Sequence, residues 1–276
     1  MNRKTVIITG ANAGIGFATA LTLSKKDFQI LLHARNEVKA KHAAEQILKE
    51  HPTAQVEPVW ADLGQLEEIA VMVQKIESQY NELDVLINNA GVWNSKLELS
   101  TEGVELTLAI NHLAYAYLAH LLYPLMTKAP EARLICVASD SHRQIKGMYW
   151  DDLNLSKNYH GLRSYAQSKL ANVLFVYEFA RRCPESKISS YAVQPGLVQT
   201  DIGLKGNTWL HRLAWKVRRN MKGHKTPAEG AATSIYLANA PEAAGQTGKY
   251  WDNCAPKTSF SSSNDPAEAS RLWEWT

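Results

Sequence analysis

A tyrosine and a lysine four residues apart, Tyr165 and Lys169, are the side chains of this 276-residue sequence best suited to proton chemistry. They stand in Tyr165-Ala166-Gln167-Ser168-Lys169, at the start of a long helical pattern, and positions i and i+4 project from one face of a helix. A cation beside a phenol stabilises the phenolate. The sequence therefore predicts that Tyr165 titrates below its reference value of about 10 and becomes an acid or base usable near neutrality. Alone the spacing says little, because many helices pair an aromatic with a lysine for packing and solubility.

A second chemical feature is a glycine-rich run, Thr9-Gly10-Ala11-Asn12-Ala13-Gly14-Ile15-Gly16, between an apolar β-type run and an alanine-rich helical one. Such a turn lets the backbone approach a pyrophosphate while the helix N-terminus offers it N–H groups and a partial positive charge. Gly10, Asn12, Gly14, Ile15 and Gly16 are the candidate contacts. The spacing is G-x-x-x-G-x-G and not the G-x-G-x-x-G of the usual dinucleotide fingerprint, and it is the strand-before, helix-after context that lifts it above loop punctuation. After the second β-type run a carboxylate would meet a free ribose 2′-hydroxyl, but the sequence reads His33-Ala34-Arg35-Asn36. Arg35 suits a 2′-phosphate, which predicts NADP(H) over NAD(H). A solvated surface arginine is the plainer reading, disfavoured by the missing acid. Asp62-Leu63, after the third run, is placed to meet an adenine ring, or else Asp62 caps a helix.

The elements that must position these residues alternate along the chain. Thr5–Thr9, Gln29–His33, Val56–Trp60, Val85–Asn88, Leu134–Ala138, Ile188–Val193 and Lys249–Trp251 read as strands. Ile15–Lys25, Val38–Glu50 and Leu66–Gln79 read as intervening helices. That alternation means βαβ units, and hence a doubly wound α/β Rossmann fold with a central parallel sheet of about seven strands covered by helices on both faces. One domain spanning residues 1–276 is expected, with a tail from about 256 to 276 folded onto its own subunit. Thirty basic and 27 acidic residues give a net charge of only +3, which implies no nucleic-acid partner. Cys136, Cys183 and Cys254 lie far apart and suggest neither a disulfide framework nor a metal site. The apolar run around Leu113 to Met126 is broken by His112, His120 and Pro124 and fits a buried helix. With the first strand starting at Thr5, the expectation is a cytoplasmic protein with no transmembrane segment.

Further motifs join the pair and the glycine turn in a fixed order. Asn88-Asn89-Ala90-Gly91 ends the fourth strand, Asn111 lies in the following helix, Ser139 ends the fifth strand, and Pro195-Gly196-Leu197-Val198-Gln199-Thr200 follows the sixth. In this combination the sequence resembles the short-chain dehydrogenase/reductase family over essentially its whole length. The resemblance implies that Ser139 holds a substrate oxygen, that Tyr165 passes it a proton while hydride moves between substrate carbon and nicotinamide, and that Lys169 binds the nicotinamide ribose and lowers the Tyr165 pKa. It implies a relay water held by Asn111, adenosine contacts from Asn89, Ala90 and Gly91, and a carboxamide grip from Pro195, Gly196, Val198 and Thr200. Relatives often carry Ser-Ser where this chain has Ala138-Ser139-Asp140-Ser141-His142; Ser139 matches the second serine, with Ser141 the alternative and His142 read as a loop residue at the pocket mouth.

The long insert between Ser139 and Tyr165, the Ser168-Lys169-Leu170-Ala171-Asn172 run and the Leu-Trp tail resemble the retinol dehydrogenase branch and its WW-domain oxidoreductase relatives. The resemblance implies a small lipophilic carbonyl or alcohol substrate, a substrate lid at about 201–225, and a dimer or tetramer through long helices beginning near Thr101 and Leu162. Lys205 to Lys225 holds seven Lys/Arg and no acid around an apolar stripe with Trp209 and Trp215. That composition fits a lid, and a sharper reading adds peripheral contact with anionic membrane through 205–225. Two other functions share the scaffold: reduction of a carbon–carbon double bond by the same Tyr/Lys pair, and non-catalytic NADP(H) sensing. A sensor would be free to lose Asn111, Ser139, Tyr165 or Lys169, and all four are present.

Overall fold

The computed structural model describes residues 3–184, 187–198 and 224–276. Its strands are β1 (Lys4–Ile8), β2 (Phe28–Ala34), β3 (Gln55–Trp60), β4 (Val85–Asn88), β5 (Ala132–Val137), β6 (Ile188–Gln194), β7 (Lys249–Asp252) and β8 (Ala255–Pro256). They form one sheet in the order β3-β2-β1-β4-β5-β6-β7-β8. Every neighbouring pair is parallel except the last, where β8 turns back antiparallel on β7. The doubly wound sheet predicted from alternation is thus found, with a two-residue eighth strand that is too short to show a hydrophobic pattern.

Strand residues alternate between two core layers, as a period of two requires. Ile7, Leu31, Leu86 and Leu134 face one layer with helices α3 (Leu66–Gln79), α5 (Ala114–Met126) and α6 (Gly161–Arg182). Val6, Ile30, Leu32, Ile87 and Ile135 face the other with α1 (Gly14–Ser24), α2 (Glu37–Glu50) and α7 (Pro227–Asn239). The short α4 (Leu106–Leu108) runs through a π-helical turn, Ala109–Leu113, into α5. Helix starts carry chemical signals. The Asn36 side chain accepts from Lys39 N–H at the start of α2, and Thr226 and Glu229 form a reciprocal capping box on α7 with Pro227 at its first position. Arg133, only 2% exposed, crosses from β5 to donate to the Leu237 and Ala240 carbonyls, so a buried guanidinium closes the last turn of α7.

The tail does fold back on its own chain. Asp265 caps α8 (Pro266–Trp275), and Leu272 and Ala269 are buried against the α6 side of the fold. Trp273 stacks on Phe175 at a centroid distance of 5.5 Å, and the Arg182 guanidinium lies 5.4 Å from the same indole. One stripe of helix α6, which begins at Gly161, is thereby covered by its own α8. Residues 199–223 carry most of the expected lid, the membrane-contact segment and Thr200, and lie outside the described residues. Among the described residues, no helix is long and apolar enough to cross a membrane.

Candidate active site

The order of the sheet reverses between β1 and β4, and at the carboxyl ends of such strands a crevice opens. The glycine turn lies there. Gly10 and Gly14 both take positive φ, +64° and +57°. A Cβ on Gly10 would lie 2.8 Å from Ala90 Cα, and one on Gly16 would lie 2.5 Å from both Asn89 Nδ2 and the Gly10 carbonyl, so side chains are shut out of the cradle. Helix α1 begins after Ala13 with no side-chain cap and no acid in its first turn, which leaves its N–H groups available to an anion. Asn12 is partly exposed on this turn, and Ile15 reaches toward Val198, the two flanking the position of a Cβ on Gly230 at 3.3 and 2.6 Å. These residues fit a bound dinucleotide.

Two residues unremarked in the sequence hold the cradle. The Thr9 hydroxyl accepts from the Asn89 and Ala90 N–H groups at 2.8 and 2.9 Å, while Asn89 Nδ2 donates to the Thr9 carbonyl at 2.8 Å. Thr9 thus ties the glycine turn to Asn89-Ala90-Gly91 at the end of β4. His33 Nδ1 accepts from Gly10 N–H at 3.2 Å and its Nε2 meets the Ala61 carbonyl at 3.1 Å, which requires the neutral ring protonated at Nε2. Burial supports that state by lowering the His33 pKa to about 4. Both residues stood inside the quoted motifs, but only contact partners reveal their work.

Arg35 is exposed just past β2, and among the described residues no carboxylate pairs with it. Asp62 Oδ1 accepts from Gly64 N–H at 3.0 Å in a local turn; α3 starts later, at Leu66, so Asp62 is not its cap. Leu63 packs into the core, leaving backbone as what it presents. Pro195 and Gly196 leave β6 at the same end of the sheet, with Gly196 at φ +90°.

The chemistry-bearing side chains meet between β5 and α6. Ser139, just past β5, lies close enough to Tyr165 to lower its pKa and donates to the Ser141 hydroxyl at 3.1 Å, so the two candidate serines are neighbours. Lys169 Nζ donates to the Val137 carbonyl at 2.8 Å and lies 5.7 Å from the Tyr165 and Tyr115 ring centroids. Asn111 sits in the π-helical turn, where its Nδ2 donates to Ser168 Oγ and to the Val92 carbonyl, each at 3.0 Å, and its Oδ1 accepts from Val92 N–H. Single π turns of this kind recur at functional sites. Tyr115 ties this group to the cradle by donating to the Ala90 carbonyl at 2.7 Å.

One electrostatic expectation is overturned. Tyr165 is pushed up to about 12, not down, because desolvation outweighs the lowering effect of the nearby Ser139 hydroxyl. The same burial lowers Lys169 to about 7. The reason is geometric: the ammonium spends a donor on a backbone carbonyl and stands back from the phenol. His142 is corrected as well. It is fully buried, its Nδ1 bonding the Ser139 carbonyl at 2.7 Å and its Nε2 accepting from Phe260 N–H at 3.1 Å, so it fastens the Ser139 turn to the C-terminal segment.

Known proteins resemble this chain over nearly its whole length. The sequence profile described as short chain dehydrogenase matches residues 4–210. Human retinol dehydrogenase 14 is 32% identical, over 99% of this chain and 85% of its own length. The WW domain-containing oxidoreductase of Gallus gallus is 33% identical over 99% of this chain and 67% of its own. Among solved structures, an uncharacterized protein from Mycobacterium paratuberculosis superposes with a TM-score of 0.74 at 27% identity, covering 99% of this chain and 92% of that one. A glycine cradle at the sheet reversal, a Ser/Tyr/Lys group beside it and relatives of nearly full length therefore place the chain in the short-chain dehydrogenase/reductase family, oxidoreductases that bind nicotinamide cofactors and act on small substrates.

Proposed function

We propose that this chain transfers hydride between NADP(H) and a lipophilic alcohol or carbonyl compound, with Tyr165 as proton donor or acceptor at the substrate oxygen. The observation that carries the proposal is the buried group between β5 and α6, where Lys169 Nζ sits on the Val137 carbonyl at 2.8 Å and 5.7 Å from the Tyr165 ring centroid, with Ser139 close enough to the phenol to lower its pKa. The nicotinamide, when bound, supplies or accepts the hydride.

The chain's own residues do the rest. Ser139 holds the substrate oxygen and Tyr165 moves its proton. A tyrosine near 12 is a competent proton donor at neutral pH, and it becomes a base only when positive charge is brought close. Lys169, held by Val137 at 5.7 Å from the ring centroid, would supply that charge on closing toward the phenol, and Asn111, braced by Val92 and Ser168, would hold the relay water. Gly10, Asn12, Gly14, Ile15 and Gly16 would cradle the pyrophosphate, Asp62, Leu63, Asn89, Ala90 and Gly91 the adenosine side, and Pro195, Gly196, Val198 and Thr200 the carboxamide. Arg35, exposed and with no carboxylate partner among the described residues, supports a 2′-phosphate and so NADP(H) over NAD(H). Relatives named as retinol dehydrogenases support a lipophilic alcohol or its carbonyl product.

The test is a panel of lipophilic aldehydes, ketones and alcohols assayed with NADPH and NADP⁺, with Tyr165→Phe as control. Turnover with the carbonyl or alcohol members, lost in Tyr165→Phe, is expected. Turnover undiminished in that variant removes Tyr165 from the mechanism.

A further inference from the structure

Consecutive residues of an ordinary helix point about 100° apart, yet Asn111 and His112 both dock on α6. Both lie in the π-helical turn at Ala109–Leu113. Asn111 reaches Ser168, and His112 Nδ1 meets Asn172 Oδ1 at 3.1 Å. Ser168 and Asn172 are one helical turn apart, and Lys169 lies between them.

The Asn172 side chain has a second commitment. Its Nδ2 donates at 3.2 Å to the Val137 carbonyl, the same oxygen that receives Lys169 Nζ at 2.8 Å. With Nδ2 donating, Oδ1 must be the atom facing His112, so His112 carries its proton on Nδ1. His112 Nε2 is then a buried acceptor with no hydrogen-bond partner among the described residues. A buried polar atom left unpaired costs free energy, and a ring retained there despite that cost needs a reason. Phe175 and Trp275 pack on the ring at 6.0 and 6.5 Å and fix its plane.

We propose that His112 and Asn172 are positioning residues for Lys169: His112 orients the Asn172 amide, the amide occupies one lone pair of the Val137 carbonyl, and Lys169 Nζ is confined to the other. With one donor pinned there, the directions of the remaining N–H bonds are set toward the space beside Tyr165. The inference rests on the proposed catalytic role of Lys169. The titratable groups around Nζ are Tyr165 on α6, Tyr115 on α5, Cys136 on β5 and His112 on the π turn. Burial and the Lys169 cation together keep His112 neutral.

The test uses the full cofactor-free chain. NMR of the 15N-histidine-labelled wild type should show His112 protonated at Nδ1 and bare at Nε2; a proton on Nε2 overturns the proposal. Lys169 is then titrated through its 13Cε signal in wild type, His112→Phe and Asn172→Leu. Asn172→Leu gives the Val137 carbonyl wholly to the ammonium, so the Lys169 midpoint rises, by about half a pH unit or more, and His112→Phe moves it the same way by less. Folded variants with a wild-type midpoint overturn the proposal. With NADPH and decanal, kcat in Asn172→Leu falls about tenfold while the NADPH KM changes by less than about threefold, as expected for misplacement of a catalytic group. The titration reads the brace even if Tyr165→Phe remains active, so failure of the functional reading and failure of the brace are separate results.

Discussion

Lys169 Nζ donates to the Val137 carbonyl at 2.8 Å, and the Tyr165 ring centroid lies 5.7 Å away. The lysine is therefore anchored to β5 first and acts on the tyrosine only across space. Being 2% exposed, it is a buried cation held, among the described residues, by a single backbone acceptor that Asn172 shares. Its pKa of about 7 follows from this desolvation, against which the carbonyl is weak compensation.

That shift is also a statement about stability. A lysine whose folded pKa is about 7 against an ordinary 10.5 costs stability while protonated. The cost is full below pH 7 and fades as pH rises toward 10.5, because across that window the unfolded chain binds the extra proton. Wild-type stability should therefore gain up to about 1.4 kcal/mol per pH unit from this group between those limits. Lys169→Met lacks the gain. Urea denaturation of both proteins at pH 7 and pH 9 should show the wild type recovering on the order of 2 kcal/mol relative to the variant. Parallel behaviour at the two pH values would mean the ammonium is solvated.

Arg35 gives a prediction at the other end of the site. Exposed and without a carboxylate partner among the described residues, it is available to a phosphate monoester. Arg35→Ala should raise the NADPH KM by roughly ten- to a hundredfold, since a charge-assisted hydrogen bond contributes about 1.5–3 kcal/mol. The NADH KM should stay within about threefold, because that cofactor presents no charge there. Equal loss with both cofactors would place Arg35 elsewhere than at the 2′ position.

Much of this was legible in the sequence, for identifiable reasons. Helix α3 and strand β4 begin and end at the residues that periodicity predicts, Leu66–Gln79 and Val85–Asn88. Their signals are local: apolar spacing within one element. The glycine turn was legible because positive φ and close approach demand glycine. What stayed hidden depends on distance through space. The sign of the Tyr165 shift turned on desolvation, which no i,i+4 argument contains. The burial of His142 turned on Phe260, over a hundred residues away. The His112–Asn172 contact joins residues sixty apart through a π turn, which has no sequence signature.

The C-terminal helix carries a prediction about assembly. Trp273 lies on Phe175 and under Arg182, and α8 as a whole covers a face of α6 that would otherwise be apolar and open. Trp273→Ala should cost about 3 kcal/mol, in the range for losing a large aromatic from a packed site, with kcat retained because Trp273 touches none of the proposed catalytic residues. Removing residues 266–276 exposes Phe175 and Phe179, and sedimentation equilibrium should then show concentration-dependent association. A truncated chain that sediments like the full one, with an unchanged melting temperature, would show α8 to be a passive appendage.

The two serines past β5 can be told apart. Ser139 lowers the Tyr165 pKa and Ser141 does not, while Ser141 accepts from the Ser139 hydroxyl at 3.1 Å. The Ser139 hydroxyl also accepts from Ser141 N–H at 3.2 Å, so its position is set by backbone as well as by its neighbour. If Ser139 holds the substrate oxygen, Ser139→Ala removes a donor whose bond strengthens as charge develops there, and kcat should fall about 10²- to 10³-fold. Ser141→Ala removes only the support and should lower kcat by less than about tenfold. Each variant is read at saturating NADPH, so that the loss appears in kcat and not in cofactor binding. The reverse ranking would transfer the role to Ser141, and near wild-type turnover in Ser139→Ala alone is enough to refute the assignment.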